Sequence, residues 1–431
     1  MSIKLIILFC LCLLSSCGGD SSTSTTTKSL SATTQAQLDT LIGNFMTAHA
    51  ITAGSITVMS GTNVLYDKSY GYQDQNSTTS IVSDPLMVTA SIVKPLTAAT
   101  VQYLAGIGAF NLSDHVFCTG ANMPCWLNVV DPAGTMVSGF AAGGFTDTRY
   151  ANITIQQLLD HEGGWDRGLK TCANEAAYDT LTTPCDPMVQ ERLIQSTLHA
   201  AFPANFTNSQ LPTQMNDIYY WVTRNALDHA PGTTQVYSNF GYMILTAIVA
   251  RVTGSDYNTY VYNTILSPLA VSTADFSTFS FSPTAGSAQA TRTPYLLTTT
   301  NCPSIDSSNL GVSVLGTALG CLNPLNWVGA ATTLTTSKVM AQVAATYKID
   351  NTNDLNSTTN PSMDGPNNGK SLSGTTNSGV HYGDLPGVTN ILRQLLTGTS
   401  YALMLNRDNT LGAWQATLYP QIDAIIAAGG Y

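Results

Sequence analysis

Thr89-Ala90-Ser91-Ile92-Val93-Lys94-Pro95-Leu96-Thr97 decides how this chain is read, because it sets a hydroxyl and an amine three residues apart at a helix start. Pro95 places that start. A proline deep in a helix clashes with the carbonyl four residues back, whereas the first turn has amides with no intrahelical partner and tolerates it. Ser91 is therefore expected on the first turn of the helix. Leu96, Ala99, Thr100, Tyr103, Leu104 and Ile107 recur on one face behind it, and Gly106 and Gly108 mark the end. Residues three apart on a helix share a face, so Lys94 reaches back toward Ser91 Oγ. Unpaired amides and the positive end of the helix dipole lie beside the pair and suit an oxyanion. Taken alone, S-x-x-K is common enough to arise by chance, and the plain reading of Lys94 is a solvated charge.

Two later stretches supply partners. Tyr237-Ser238-Asn239 follows a Pro231-Gly232 turn and directly precedes Phe240–Val252, a run apolar nearly all round that predicts a buried helix stopped by Gly254. That displays Tyr237 at the mouth of the core. His381-Tyr382-Gly383 lies on a predicted strand, where Gly383 removes a side chain and lets a substrate backbone approach.

The order S-x-x-K, Y-x-N, H-x-G resembles the serine β-lactamase and penicillin-binding-protein superfamily. With Y-x-N as its second element, the chain is similar to class C β-lactamases, some D-alanyl-D-alanine carboxypeptidases and esterases of the same fold. Blocks at Gly54 to Asp74, Leu86 to Asp114, Ile153 to Arg167, Asp228 to Leu269 and Val380 to Asp408 carry the same resemblance. It implies an α+β fold: an antiparallel sheet built from both chain ends and flanked by helices, with a mostly helical insertion. The α/β part would be 34–90 with 330–431, and the helical part 91–329.

The resemblance further implies Ser91 as acylated nucleophile, Lys94 as close proton acceptor and Tyr237 as general base. A free tyrosine titrates near 10, so Tyr237 needs the neighbouring cation to act at neutral pH, and which of the two takes the proton stays open. Asn239 would bind a substrate amide or carbonyl. The backbone amides of Ser91 and Asp384 would form the oxyanion hole, roughly 3 kcal/mol per donor. His381 stands where K-T-G has lysine, and histidine is largely neutral at pH 7, which weakens a hold on a substrate carboxylate. Asp384, an acid beside the pocket, acts in the same direction; read instead as a turn residue before Leu385-Pro386-Gly387, it has no such effect. The expected substrate is an ester or amide, D-amino-acid peptides included, ahead of a β-lactam. A non-catalytic envelope protein of the same fold is the alternative outside enzymes.

Composition bounds the partners. Of 431 residues 44% are hydrophobic, enough for a large core or two domains, while only 10% are charged, so the surface is built from small polar residues. A formal charge of -10 argues against nucleic acid. Neither a Gly-rich phosphate loop nor metal-ligand spacing is present: His161-Glu162 begins like H-E-x-x-H, but Trp165 stands where the second histidine is needed. His49, His115, His199 and His229 share no ligand spacing. No cofactor or metal is expected, and a monomer acting on a small-molecule or peptide substrate is.

At the amino terminus Lys4 precedes an apolar run, Leu5–Leu14, too short to span a bilayer, and then Leu14-Ser15-Ser16-Cys17-Gly18-Gly19. This resembles a bacterial lipoprotein signal with its lipobox. The resemblance implies removal of residues 1–16, lipid on Cys17, and a protein anchored to the envelope; an ordinary secretory signal with an incidental cysteine is the alternative. Residues 18–33 read as a flexible tether. Six cysteines follow in three close couples, and an oxidising compartment favours the disulfides Cys118–Cys125, Cys172–Cys185 and Cys302–Cys321.

Among the remaining elements, a capping box at Thr34 and Gln37 opens a helix through Ala48, and strands are predicted over Gly54–Ser60 and Asn63–Tyr72. Residues 111–150 read as loops. A second capping box, Thr154 with Gln157, opens a short helix, and helices are expected over 216–226, 257–266, 336–347 and 421–428. Val380–Gly383, Val388–Leu395 and Ser400–Leu405 read as strands. Residues 350–377 are almost wholly polar.

Overall fold

A computed structural model describes residues 28–74, 76–120, 122–140, 143–166, 191–204, 214–280, 283–296, 302–303, 313–314, 323–347, 379–395, 397–407 and 414–429. The readings at Cys17, Cys172–Cys185 and the polar stretch 350–377 lie outside these residues, as does Cys321, the expected partner of Cys302. Among them no helix is long and apolar enough to cross a membrane.

The architecture is a five-stranded antiparallel sheet made from both chain ends. Strands β1 (Ala53–Ser60) and β2 (Asn63–Gly71) come from the amino-terminal part, and β3 (Gly379–Leu385), β4 (Val388–Gln394) and β5 (Thr399–Leu405) from the carboxy-terminal part, in the order β3-β4-β5-β1-β2. Gly54 pairs with Leu405 and Val58 with Tyr401 at the seam between the two ends. One face of the sheet packs on helices α1 (Ala32–Ala48) and α5 (Trp414–Gly429). Leu38, Ile42, Ile56, Val58, Leu403, Leu418 and Ile422 share that core. The opposite face packs on α4 (Ser337–Thr346), and its cluster includes Met59, Met340, Leu392, Met404 and Ile92, next to Ser91.

The largest core belongs to the helical middle, around α2 (Lys94–Gly106) and α3 (Asn239–Thr253). Residues 94–101 of α2 are buried all round. The expected single apolar face therefore fails at its far end: Leu104 stays in the core, but Tyr103 and Ile107 are 44% and 61% exposed.

Three boundaries also differ from the sequence reading. Ser31, not Thr34, caps α1, its hydroxyl accepting from the Thr34 amide at 3.2 Å. Residues 111–150 hold short strands at His115–Phe117, Cys125–Leu127, Val129–Val130 and Met136–Val137, pairings of two or three residues too short to leave a periodic signal. Helix α5 begins at Trp414 and carries Pro420 in its interior, a residue that reads as a boundary in sequence. The capping box at Thr154 and Gln157 is formed, as is the αL stop at Gly254. Cys118 and Cys125 are joined, their Cα atoms 5.1 Å apart.

Sheet and helical middle are stitched together at the strand leading into Ser91. Met87–Val88 pairs with Thr333–Thr335. Thr89 donates its amide to Thr333 O at 2.9 Å and its hydroxyl to the same oxygen at 3.0 Å. From the sheet, the wholly buried Asn390 donates Nδ2 to Val88 O at 2.9 Å and Thr89 O at 2.7 Å, and its Oδ1 accepts from Leu405 N at 3.2 Å. Replacing Asn390 by Leu removes three hydrogen bonds to buried backbone groups, two of them to the carbonyls of Val88 and Thr89. Stability should fall by about 3 kcal/mol or more, read as a lower urea midpoint; an unchanged midpoint would show that those groups find other partners.

Candidate active site

Ser91 does not sit on the α-helix itself. It lies on a 3₁₀ turn, Ala90–Val93, and α2 begins at Lys94 with Pro95 in its first positions. Pro95 explains the boundary: it has no N–H to give to Ser91 O four residues back. That carbonyl instead accepts the Lys94 amide and His381 Nε2, the latter at 2.6 Å. Facing a carbonyl, Nε2 must carry the proton. The backbone is forced as well: Ala90 has φ +46°, a left-handed conformation that costs a non-glycine residue roughly 1–2 kcal/mol.

The side chains converge on Ser91. Its Oγ lies 2.6 Å from the Tyr237 hydroxyl and accepts from Lys94 Nζ at 3.0 Å. Lys94 is wholly buried, and Nζ also donates to Asn239 Oδ1 at 2.8 Å and to Ala330 O at 2.7 Å. Three acceptors match the three protons of an ammonium, which is what makes a buried lysine tolerable. Tyr237 and Tyr242 add their ring faces, with centroids 5.0 Å and 5.7 Å from Nζ. Ser91 is 7% exposed, while Tyr237 and Asn239 are partly open to solvent, so a substrate reaches the hydroxyl from their side.

Each partner is held by its own local structure. Ser238 is the N-cap of α3, its hydroxyl accepting from Gly241 N at 3.2 Å, so Asn239 is the first helical residue and Tyr237 lies just outside. Ala330 belongs to a wide turn, Val328–Thr332, whose amides at 330, 331 and 332 all close on Trp327 O. That turn is anchored by Glu191, buried on the helix Glu191–Ala201. Its carboxylate accepts from Asn323 N at 2.7 Å, Asn326 Nδ2 at 3.2 Å and Trp327 Nε1 at 3.2 Å.

The structure thus brings Ser91, Lys94, Tyr237, Asn239 and His381 together, and it corrects three surroundings. His381 is fully buried on the Ser91 carbonyl and is not an open wall facing a substrate carboxylate. At Gly383 the space is taken by the protein itself: a Cβ there would lie 2.7 Å from Thr89 O, so glycine lets β3 close on the nucleophile turn and is not a gap for substrate. Asp384 lies in β3 and not in the turn, and its carboxylate is turned away to α5, where Gln415 Nε2 meets both oxygens at 2.7 Å. The backbone of Asp384 faces differently. Leu395 N bonds Thr399 O across β4 and β5, which by alternation directs the Asp384 amide away from β4, to the edge of the sheet.

Ala330, Glu191, Asn390 and His161 escape sequence reasoning. Ala330 acts through a carbonyl every residue has, Glu191 and Asn390 show no motif, and His161 stands only in an incomplete H-E-x-x-H. Among the described residues no group of three or more His, Cys, Asp or Glu side chains could hold a metal.

A family model described as Beta-lactamase matches residues 38–413. The chain belongs to the beta-lactamase family. These are serine hydrolases of the β-lactamase and penicillin-binding superfamily. Protein flp of Staphylococcus aureus (strain NCTC 8325 / PS 47) is 25% identical over 246 residues, 56% of this chain and 38% of that protein, so the chain spans well under half of this relative. Among solved structures, the D-amino acid amidase from Ochrobactrum anthropi SV3 superposes with a TM-score of 0.57 at 16% identity, covering 92% of this chain and 98% of the amidase. A class C beta-lactamase gives 0.56 at 13% identity, over 91% and 96%. Both show the fold, an α+β β-lactamase/transpeptidase architecture.

Burial pushes the Glu191 carboxyl up to about 8 against the pull of its three donors. A proton held more tightly folded than unfolded stabilises fully below the ordinary value of 4.5, and that contribution is lost as pH rises toward 8. The thermal midpoint of wild type should therefore decline between those pH values more steeply than that of Glu191→Gln. Parallel declines would mean that Glu191 is ionised in the fold throughout.

Proposed function

We propose that the protein is a serine hydrolase working through a Ser91 acyl-enzyme on carboxylic esters or amides, D-amino-acid peptides included. The observation that carries this reading is the 2.6 Å contact of Ser91 Oγ with Tyr237, beside a lysine whose ammonium is fully used by three acceptors. An ammonium that donates three hydrogen bonds keeps its protons and has no lone pair for another. The Ser91 proton accordingly passes to Tyr237 as phenolate, and Lys94 supplies the charge that stabilises it. Ser91 Oγ attacks the carbonyl carbon, the tetrahedral oxyanion is received by the Ser91 and Asp384 amides, and Tyr237 returns the proton to the leaving alcohol or amine. Water, deprotonated by the same phenolate, then attacks the acyl carbon; the bond to Ser91 Oγ breaks, Tyr237 returns the proton to Oγ, and the acid is released. Asn239 offers its amide to the substrate's own amide.

An ester or amide is preferred to a β-lactam because His381, which stands in the place of the K-T-G lysine, is buried and bonded to the Ser91 carbonyl. We place the enzyme in the bacterial envelope, anchored through Cys17, on the strength of the Leu14–Cys17 stretch.

Intact protein treated with a fluorophosphonate should gain one adduct at Ser91 and none in Ser91→Ala. Hydrolysis of a short-chain nitrophenyl ester should vanish in Ser91→Ala and slow by on the order of 100-fold or more in Tyr237→Phe. Folded protein that labels equally without Ser91 contradicts the reading, and nitrocefin turnover faster than ester or D-peptide turnover replaces its substrate class.

A further inference from the structure

We propose that His161 is the positioning residue of Tyr237, a clamp that grips the chain on both sides of the tyrosine. The proposal rests on the reading of Tyr237 as the proton carrier of Ser91. His161 O accepts the amide of Val236 at 2.9 Å, and His161 Nδ1 accepts the amide of Ser238 at 3.1 Å. The residues immediately before and after Tyr237 are thereby tied to one residue. The ring of the same histidine packs on the tyrosine it brackets, with centroids 4.7 Å apart, and on Tyr242 at 5.0 Å.

Several features mark this as built. His161 is 2% exposed. Its φ is +57°, a left-handed conformation uncommon for any residue but glycine, which turns the chain sharply just after the helix Ile155–Leu159. The neighbouring pairings extend the grip: Gly232 N bonds Glu162 O at 2.9 Å, and Asp228 N and His229 N bond Gly164 O at 2.9 Å and 3.0 Å. Residues 161–164 thus run along 228–238 as a brace. Its last tie before the helix α3 is a side-chain nitrogen where backbone pairing would use a carbonyl. Facing an N–H, Nδ1 must be unprotonated, so the ring is held as an acceptor beside the phenol.

The consequence is a division of labour. Lys94 opens α2 and Ser91 sits on the 3₁₀ turn that runs into it, whereas Tyr237 lies outside any helix and has to meet Ser91 Oγ within hydrogen-bond distance. A displacement of about 1 Å in a reacting group can cost on the order of 100-fold in rate. His161 is the residue that removes that freedom. Because it acts through Tyr237, it should matter only while Tyr237 has its hydroxyl.

The test compares His161→Leu, which fills the space without an acceptor, with His161→Asn, whose Oδ1 takes the place of Nδ1 and which tolerates the left-handed backbone. With a nitrophenyl ester, His161→Leu should lower kcat by on the order of 100-fold with KM nearly unchanged, and His161→Asn should recover most of it. In the Tyr237→Phe background the Leu change should cost little further. Amide hydrogen exchange across 236–238 should quicken in His161→Leu and not in His161→Asn, a readout independent of turnover. If His161→Leu does not fold, His161→Asn and His161→Gln are compared instead, and Gln, whose longer side chain misplaces the acceptor, should show both losses. Equal losses in the wild-type and Tyr237→Phe backgrounds, or unchanged exchange at 236–238, overturn the clamp. Absence of Ser91-dependent turnover in wild type would overturn the catalytic reading, and the exchange measurement would still decide whether His161 holds the segment.

Discussion

A lysine amine with no exposure to water is the constraint on which the site depends. Burying an ammonium is unfavourable unless every N–H finds an acceptor, and Lys94 finds one on each of three segments far apart in the chain. Ser91 lies on the turn before α2, Asn239 on the first turn of α3, and Ala330 on the wide turn behind. None of these can drift without leaving a charge unpaired. The requirement that stabilises the lysine therefore also sets the geometry of the hydroxyl beside it.

The supports work inward from the sheet. Asn390 on β4 and His381 on β3 bind the backbone of Val88, Thr89 and Ser91, and Gly383 lets the edge strand come close enough to do so. On the helical side, Thr97 ties α2 to Gly329 O and to the Tyr257 hydroxyl, both at 2.6 Å, behind the turn that carries Ala330. Two histidines are held in opposite sense, a donor at His381 Nε2 and an acceptor at His161 Nδ1. Each serves backbone groups next to a reacting residue.

Much of this was legible in the sequence for physical reasons. Short runs rich in apolar and β-branched residues, bounded by Gly and Pro turns, mark β1, β2 and the last three strands; with helices on both faces, β1 and β5 are buried nearly throughout. The site residues were legible because acyl transfer needs particular side chains, and S-x-x-K, Y-x-N and H-x-G name them in order. What was hidden is of another kind. Burial of Lys94 depends on Ala330, which contributes a carbonyl that no side chain advertises. The 3₁₀ turn at Ser91 follows from Pro95, yet its use of the freed carbonyl by His381 is a long-range contact. Gly383 was read as space for a substrate, and only the fold shows that Thr89 already occupies that side. For Asp384, what stays hidden is that its carboxylate stands off one face of the sheet toward Gln415 while its amide lies in the plane of the sheet at the edge.

The most direct test of the central claim is the rate at which a fluorophosphonate labels Ser91 when Lys94 is replaced by Met, with folding checked by thermal denaturation. If the buried amine is what makes the Ser91–Tyr237 pair reactive, Lys94→Met stays folded and labels at least on the order of 100-fold more slowly. Labelling of folded Lys94→Met at the wild-type rate would contradict it.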